Sequence, residues 1–121
     1  MDIKRRGNFG EQKAADYLRL HGYKILDRNF SCRYGEVDII TSKGEYITFV
    51  EVKTRKNDSF AQAREFVTAA KQRRVIAAAE VYLAKNPTGL QPRFDVVEVY
   101  APRGEKTLFP KINLIEDAFR L

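Results

Sequence analysis

The chain has one cysteine, one histidine and no tryptophan in 121 residues. A lone cysteine cannot form an intramolecular disulfide, and Cys32 with His21 cannot build the usual four-ligand zinc site. Long apolar runs are also missing, because the most apolar stretch, residues 75–84, is interrupted by Glu80 and is shorter than the roughly 20 residues that span a bilayer. We therefore expect neither a disulfide scaffold, nor a structural zinc domain, nor a transmembrane protein.

The first residues are polar and basic, and no apolar segment of the kind found in secretory signals follows them. We therefore expect a cytoplasmic protein. The length fits a single domain, residues 1–121, and the 44% of hydrophobic residues supply enough apolar material for a core, which excludes disorder as the native state.

Acidic residues are fewer than basic ones, 16 against 22, which gives a net charge of +6. The basic residues are clustered in three short runs, at residues 4–6, 53–56 and 71–74. A clustered basic excess is typical of proteins with a polyanionic partner, so nucleic acid is the partner that the composition favours.

Hydrophobic periodicity predicts the element order αβββαβ followed by a small closing element. The predicted elements are a helix over 10–21 ending at Gly22, strands over 23–30, 35–41 and 46–53, a loop over 54–67 with a short helical piece at 62–66, a helix from Thr68 to Lys85, a strand over 93–100, and a short strand or helical turn over 112–121. The pattern predicts an α/β domain with a mixed β-sheet flanked by helices.

Two acids and a lysine fall on neighbouring predicted strands. Since alternate residues of a strand share a face, Glu51 and Lys53 point the same way, and Val37 and Ile39 point away from Asp38. A two-residue loop at Lys43-Gly44 places Asp38 diagonal to Glu51, and a four-residue loop places the two acids directly opposite each other. Either register gathers Asp38, Glu51 and Lys53 on one face.

Two carboxylates this close repel each other unless a cation neutralises them. Mg²⁺ is held in proteins by one or two carboxylates together with water and substrate phosphate oxygens, which Asp38 and Glu51 could complement. Lys53, on the same face, could orient or deprotonate a water aimed at a phosphodiester. The group therefore suggests metal-assisted phosphodiester hydrolysis.

The motifs Gly35-Glu36-Val37-Asp38 and Phe49-Val50-Glu51-Val52-Lys53 resemble those of the PD-(D/E)xK nuclease superfamily, which includes restriction endonucleases and archaeal Holliday-junction resolvases. Nearly the whole chain resembles the YraN family of small bacterial proteins, with further matching residues at 7–11, 14–15, 22–23, 25–26, 28–29, 55, 71–74, 82–83 and 93–97. The chain departs from the literal superfamily signature in having no proline before the first acid.

The resemblance implies a restriction-endonuclease-like fold with a four-stranded mixed sheet. It implies that Asp38 and Glu51 bind Mg²⁺ or Mn²⁺ and that Lys53 is the catalytic base or the residue that positions water. The resolvases place a glutamate of the first helix near the metal, and Glu11 matches that position. Glu11 also lies on the apolar stripe of its own helix, although a glutamate in a first turn can instead favour the helix dipole and reach solvent.

Three other polar residues have open roles. Glu36 could reach the metal through water or pair with Arg33 or Arg55. Gln72 could reach the metal site or bond to the backbone as a buried amide. Asp95 lies in an apolar strand, where we expect it to pair with a buried lysine or arginine.

The basic residues near the predicted site are candidates for phosphate contacts: Arg55, Lys56, Lys71, Arg73 and Arg74. No helix-turn-helix, zinc finger or aromatic base-stacking motif accompanies them. We therefore expect nucleic acid, DNA in the first place, to be recognised by shape and backbone, and a homodimer remains open.

The function that follows is a metal-dependent DNA endonuclease acting on branched or repair intermediates by analogy with the resolvases. The alternative is a non-catalytic nucleic-acid-binding protein that keeps the nuclease fold and acts in DNA processing or uptake.

Overall fold

The computed structural model describes residues 3–56 and 67–120, with side chains from residue 9 onwards. Five strands form one sheet in the order β1-β2-β3-β4-β5, in which β3 and β4 are parallel and the other neighbours antiparallel. The elements are α1 (Ile3–Leu20), β1 (Lys24–Cys32), β2 (Gly35–Lys43), β3 (Tyr46–Arg55), α2 (Ala69–Lys85), β4 (Gln91–Tyr100) and β5 (Lys111–Phe119). The predicted α/β class with a mixed sheet flanked by helices is confirmed.

Helix α1 begins at Ile3, seven residues before the predicted start. A helix that is anchored by packing adds one hydrogen bond for each further residue, and α1 therefore continues towards the N-terminus across the glycines at 10 and 7. Its buried stripe of Ala14, Ala15 and Leu18 is the predicted one. The helix ends where expected, because Gly22 adopts a φ of +89° and the N–H of Tyr23 donates to the carbonyl of Leu18.

Helix α2 is capped as predicted. The side chain of Thr68 accepts a hydrogen bond of 3.1 Å from the N–H of Lys71, and the helix ends at Asn86, just before a proline. Its buried residues include Val75, Ile76 and Tyr82. This cap fixes where the first turn of α2 begins, and the first two turns carry the basic run 71–74.

The core has two layers, one on each side of the sheet. Phe49 packs in the layer that includes α2, whereas its neighbour Val50 packs with Leu18 of α1. Because successive strand residues point to opposite faces, the two helices cover opposite faces of the sheet.

The β2–β3 hairpin has the register in which Ile40 pairs with Phe49 and Lys43 pairs with Tyr46. Its two-residue turn is Gly44-Glu45, one position later than the predicted Lys43-Gly44 turn, and Gly44 supplies the positive φ of +59°. The last pair of the ladder is Ile39 with Val50, so Asp38 and Glu51 are next in line. This is the register predicted for a four-residue loop, reached here by a shorter turn.

Strict alternation fails in β2. Val37 packs in the same layer as Ile40, on the α2 side, whereas Ile39 packs on the α1 side. The prediction that Val37 and Ile39 share a face is therefore wrong. The regular pairing of β2 with β3 ends at Ile39, and Asp38, which lies between the two residues, bonds to the N–H of Val52 through its side chain.

The structure differs from the prediction at the edge of the sheet next to β4 and at the end of β3. The closing segment is the antiparallel strand β5, so the sheet has five strands rather than the four that the resemblance implied. Residues 54–55 belong to β3, and the helical piece predicted at 62–66 lies outside the described residues. Within the described ranges, neither helix is long and apolar enough to span a membrane.

The start of β2 lies against the backbone of α2. A Cβ atom added at Gly35 would lie 2.1 Å from the carbonyl oxygen of Arg74, which is far inside contact distance. We expect Gly35→Ala to lower the free energy of unfolding by about 1–3 kcal/mol, because the strand and the helix must move apart. Urea denaturation monitored by circular dichroism measures the change.

The matched control is Gly89→Ala, whose added Cβ would meet no described atom within 4 Å. Equal stabilities of the two variants would contradict the close packing of β2 against α2.

Candidate active site

Glu51 is a charged residue inside the sheet. Glu51 is only 4% exposed, and its neighbours along β3 are the apolar residues Phe49, Val50 and Val52. Oε2 lies 3.6 Å from Nζ of Lys71, and Oε1 is buried with no hydrogen-bond partner among the described residues. Burying a carboxylate oxygen without a partner costs free energy, and a bound cation or a proton on this oxygen would remove that cost.

Asp38 lies beside Glu51 where the pairing of β2 with β3 ends. Its Oδ2 accepts a hydrogen bond of 2.8 Å from the backbone N–H of Val52. The side chain thus takes over a backbone donor of β3 beyond the last regular pair of the ladder, Ile39 with Val50. This bond fixes the Asp38 carboxylate against the segment that carries Glu51.

Burial raises the pKa values of both acids, and the charge of Asp38 adds to this effect at Glu51. Burial, and next the charge of Asp38, raise the pKa of Glu51 to about 7, while Lys71 and Lys53 act in the opposite direction. Burial also raises the pKa of Asp38, which the hydrogen bond from Val52 and the charges of Lys71 and Lys53 oppose. The pair is therefore electrostatically unfavourable when both carboxylates are ionised, as the sequence analysis anticipated.

Two lysines face the acids. Lys53 is half-buried and lies two residues after Glu51 on β3, and Lys71 comes from the first turn of α2. Nζ of Lys71 lies between Glu51 Oε2 at 3.6 Å and Glu36 Oε2 at 3.9 Å. The pairing expected for Glu36 is present, but its partner is Lys71 rather than Arg33 or Arg55.

Glu11 of α1 is half-buried and interacts with the same group of charges. Burial and the charge of Asp38 raise the pKa of Glu11, whereas a hydrogen bond with Asn29 and the charge of Arg28 lower it. Its Oε1 lies 4.0 Å from Nη2 of Arg28 and is a buried atom with no hydrogen-bond partner in the described part of the chain. The side chain therefore faces inward rather than into solvent.

The donors gathered here are carboxylate oxygens, the ligands that Mg²⁺ and Mn²⁺ prefer. Two of these oxygens, Glu51 Oε1 and Glu11 Oε1, are buried and have no hydrogen-bond partner in the part of the chain that the structure describes. Over residues 9–56 and 67–120, no group of three or more His, Cys, Asp or Glu side chains is arranged to hold a metal ion. The described side chains therefore form no closed protein cage for a metal, and a cation bound here would need further ligands from water or phosphate.

The predicted phosphate-binding residues separate into two groups. Arg73 and Arg74 are exposed on α2 and Lys56 is exposed after β3, so these three side chains are available to a ligand. Lys71 instead faces the acids, and Nε of Arg55 lies 3.5 Å from Oε2 of the buried Glu98.

Two of the open roles are resolved by the structure. The side chain of Gln72 donates to the carbonyl of Val67 at 2.9 Å, which is the backbone-bonded alternative. Asp95 is fully buried, and Arg93 donates to both of its oxygens at 2.9 Å, as expected for a buried ion pair.

Sequence reasoning missed the contacts of Arg28 and Asn29 with Glu11, and it missed the buried Glu98. Arg28 and Asn29 lie on β1, where a register shift between Ile25 and Asp27 changes which residues face α1. No local pattern in the sequence signals that shift. Glu98 could have been noticed as a lone acid in an apolar strand, by the argument applied to Asp95.

The family model and the similar proteins that match this chain all belong to one family. A model of a family described as "Uncharacterised protein family UPF0102" matches residues 10–99. A UPF0102 protein of Caldicellulosiruptor saccharolyticus is 45% identical over 120 residues, which cover 98% of this chain and 100% of the relative. UPF0102 proteins of Caldanaerobacter subterraneus and Clostridium perfringens are 46% and 43% identical, each over 93% of the relative's length.

Glu51 makes stability depend on pH. Its pKa of about 7 in the folded state exceeds the ordinary 4.5, so the folded protein holds more protons than the unfolded chain between these values, and stability falls as the pH rises through them. Glu51→Gln stays neutral at every pH. In EDTA, its free energy of unfolding relative to wild type should rise by up to about 3 kcal/mol between pH 4.5 and pH 8.

Urea denaturation across this pH range measures the difference, and Glu80→Gln, at an exposed position of α2, is the control for removing a carboxylate from the surface. A difference that is constant with pH, or that has the opposite sign, would show that Glu51 is not held in an unfavourable environment.

Proposed function

The chain belongs to the UPF0102 family, known also as YraN, and we propose that it is a metal-dependent endonuclease that hydrolyses phosphodiester bonds in DNA. The observation that carries this proposal is the placement of two acids, Asp38 and Glu51, at one point of the sheet with Lys53 beside them. The buried Oε1 of Glu51, which lacks a hydrogen bond within the described residues, supports a cation at this point.

Asp38 and Glu51, with Glu11 as a third candidate, would hold Mg²⁺ or Mn²⁺, which supplies positive charge that offsets the charge developing on the phosphate. Binding such a cation keeps Glu51 ionised at neutral pH, because an adjacent positive charge lowers the pKa of a carboxyl group. The hydrogen bond from the N–H of Val52 holds Asp38 in position before substrate arrives.

Lys53 is proposed to orient the attacking water or take its proton. The water oxygen forms a bond to phosphorus, the bond from phosphorus to the leaving oxygen breaks, and the leaving oxygen takes up a proton from solvent. Lys53 lies on the same strand as Glu51, two residues on, and its positive charge acts on both acids, which suits the orienting role. To take the proton of the water, Lys53 must first release its own proton to solvent.

Lys71 balances the acids in the structure described here. Its ammonium group lies between Glu51 and Glu36, where it reduces the repulsion that a metal-free pair experiences. When a phosphate enters, the same lysine could pair with a phosphate oxygen instead of Glu51. Arg73 and Arg74, exposed in the same first turns of α2, extend this positive surface along the helix.

A second candidate function is a nucleic-acid-binding protein without catalysis. It is favoured by the observation that the described part of the chain assembles no group of three potential ligands, and by the direct pairing of Lys71 with Glu51. On this alternative, Lys71 would neutralise the acids permanently, and the exposed arginines of α2 would bind the backbone.

A cleavage assay separates the two. Linear, single-stranded, flapped and four-way DNA are incubated with Mg²⁺ or Mn²⁺, and we expect cleavage of at least one of them by the wild type. Asp38→Asn and Lys53→Met should each lower the rate by about 10²-fold or more, because one removes a proposed ligand and the other the group that handles the water. Lys85→Met, at the exposed end of α2, is the control for loss of a lysine charge.

Cleavage that survives Lys53→Met would show that the proposed mechanism is wrong. DNA binding that is unaffected by Asp38→Asn, without cleavage of any substrate by the wild type with either metal, would replace the nuclease by the binding protein.

A further inference from the structure

The loop that joins β4 to β5, residues 101–110, exposes two large apolar side chains at its end. Leu108 is 82% exposed and Phe109 is 91% exposed, and they are adjacent in the chain. Single apolar residues on a surface are common, but a leucine and a phenylalanine side by side at the end of a loop form a small exposed apolar surface.

The loop has a defined internal structure. The N–H of Ala101 donates to the carbonyl of Arg55 at 2.7 Å, the N–H of Arg103 donates to Oγ1 of Thr107 at 2.9 Å, and a short 3₁₀ turn spans Gly104–Lys106. Pro102 and Pro110 further restrict the backbone at its two ends. The two side chains are therefore presented by an ordered loop, which lowers the entropy cost of using them in binding.

The loop leaves the sheet at the end where the candidate active site lies. Tyr100, the last residue of β4, is in register with Arg55 of β3 and with Lys111 of β5. Arg55 is two residues beyond Lys53, so strand geometry places Tyr100, where the loop begins, roughly 8 Å from the backbone of Lys53, and Lys111, where the loop ends, roughly 12 Å from it. The Gly44 turn is at the opposite end of the same sheet.

The charge around the loop matches a polyanion. Arg103, Lys106 and Lys111 are exposed at the loop and its base, against a single acid, Glu105. Apolar side chains in a loop that also carries exposed cations fit a nucleobase whose own phosphates contact those cations, because every base has a π-face on which an aromatic ring can stack.

We infer that Leu108 and Phe109 form a binding site for an unpaired nucleobase next to the active site. This inference rests on the proposed function, since it supplies the base contact of a nucleic acid whose backbone lies along α2 and β3. It also names a substrate class: in a uniform duplex the bases are stacked on each other, so strands with unpaired or easily unstacked bases should bind more tightly. The contact uses the face of the base and carries no sequence preference.

The test uses the absence of tryptophan from the chain. Phe109→Trp introduces a single tryptophan at the end of the loop, and its emission should be quenched when single-stranded DNA binds. The affinity of this variant for single-stranded DNA should equal or exceed that of the wild type. Leu20→Trp is the matched control: Leu20 is 83% exposed at the end of α1, near the Gly44 turn, and its replacement should show no quenching.

Phe109→Ala should weaken the binding of single-stranded DNA by about 5- to 100-fold, since the loss of one base–aromatic stack has an effect of this size. The slope of log affinity against log salt should stay unchanged, because no phosphate contact is removed. Leu20→Ala should bind like the wild type. Both loop positions are exposed, so the variants are expected to fold, and circular dichroism checks this.

Equal affinities of Phe109→Ala and Leu20→Ala, or a changed salt slope, would overturn the inference while leaving the nuclease proposal intact. Loss of self-association in Phe109→Ala by sedimentation, without loss of DNA affinity, would assign the loop to a contact between copies of the chain and would also overturn it. Weaker binding by Phe109→Ala in a protein that never cleaves would support the base site and contradict the nuclease. If the wild type binds no nucleic acid, both proposals fail.

Discussion

The carboxylate of Glu51 is buried next to a second carboxylate, and the electrostatic free energy that this burial costs is the constraint on which the rest of the site depends. Sheet packing removes Glu51 from water, and Asp38 is held beside it by the N–H of Val52. Lys71 supplies a positive charge at 3.6 Å, but one oxygen of Glu51 stays without a hydrogen bond within the described residues. A buried ion pair with an unsatisfied atom adds little to stability, and the proposed cation would satisfy that atom.

The fold supports this arrangement at several levels. The Gly44 turn sets the β2–β3 register that aligns Asp38 with Glu51, and the absence of a side chain at Gly35 lets α2 approach β2 closely. The Thr68 cap starts α2 at the position from which Lys71 reaches both Glu36 and Glu51. Each of these features is local, and together they determine where Lys71 meets Glu36 and Glu51.

Much of this could be predicted from the sequence because the controlling patterns are short. Alternation in β3 placed Glu51 and Lys53 on one face, and Thr68 and Gly22 marked the ends of helices. The hairpin register was reduced to two alternatives, one with a two-residue loop at Lys43-Gly44 and one with a four-residue loop. The structure has the register of the second, although its turn is the two-residue Gly44-Glu45. The placement of Val37 and the partner of Glu36 could not be predicted, because both depend on the break in strand pairing at Asp38 and on how α2 packs over it. The exposure of Phe109 likewise could not be predicted, because it depends on the fold of the whole loop, and the loop sequence has no hydrophobic periodicity.

The central claim, that Asp38 and Glu51 form a divalent-cation site, is tested most directly by calorimetric titration of Mn²⁺ into the wild type and into the double variant Asp38→Asn, Glu51→Gln. At pH 6.5, in two buffers with different ionisation enthalpies, the wild type should bind Mn²⁺ and release protons, because Glu51 with its pKa of about 7 must ionise to become a ligand. The double variant should show no binding at this site. Equal Mn²⁺ affinity in the two proteins, or binding to the wild type without proton release, would contradict the account.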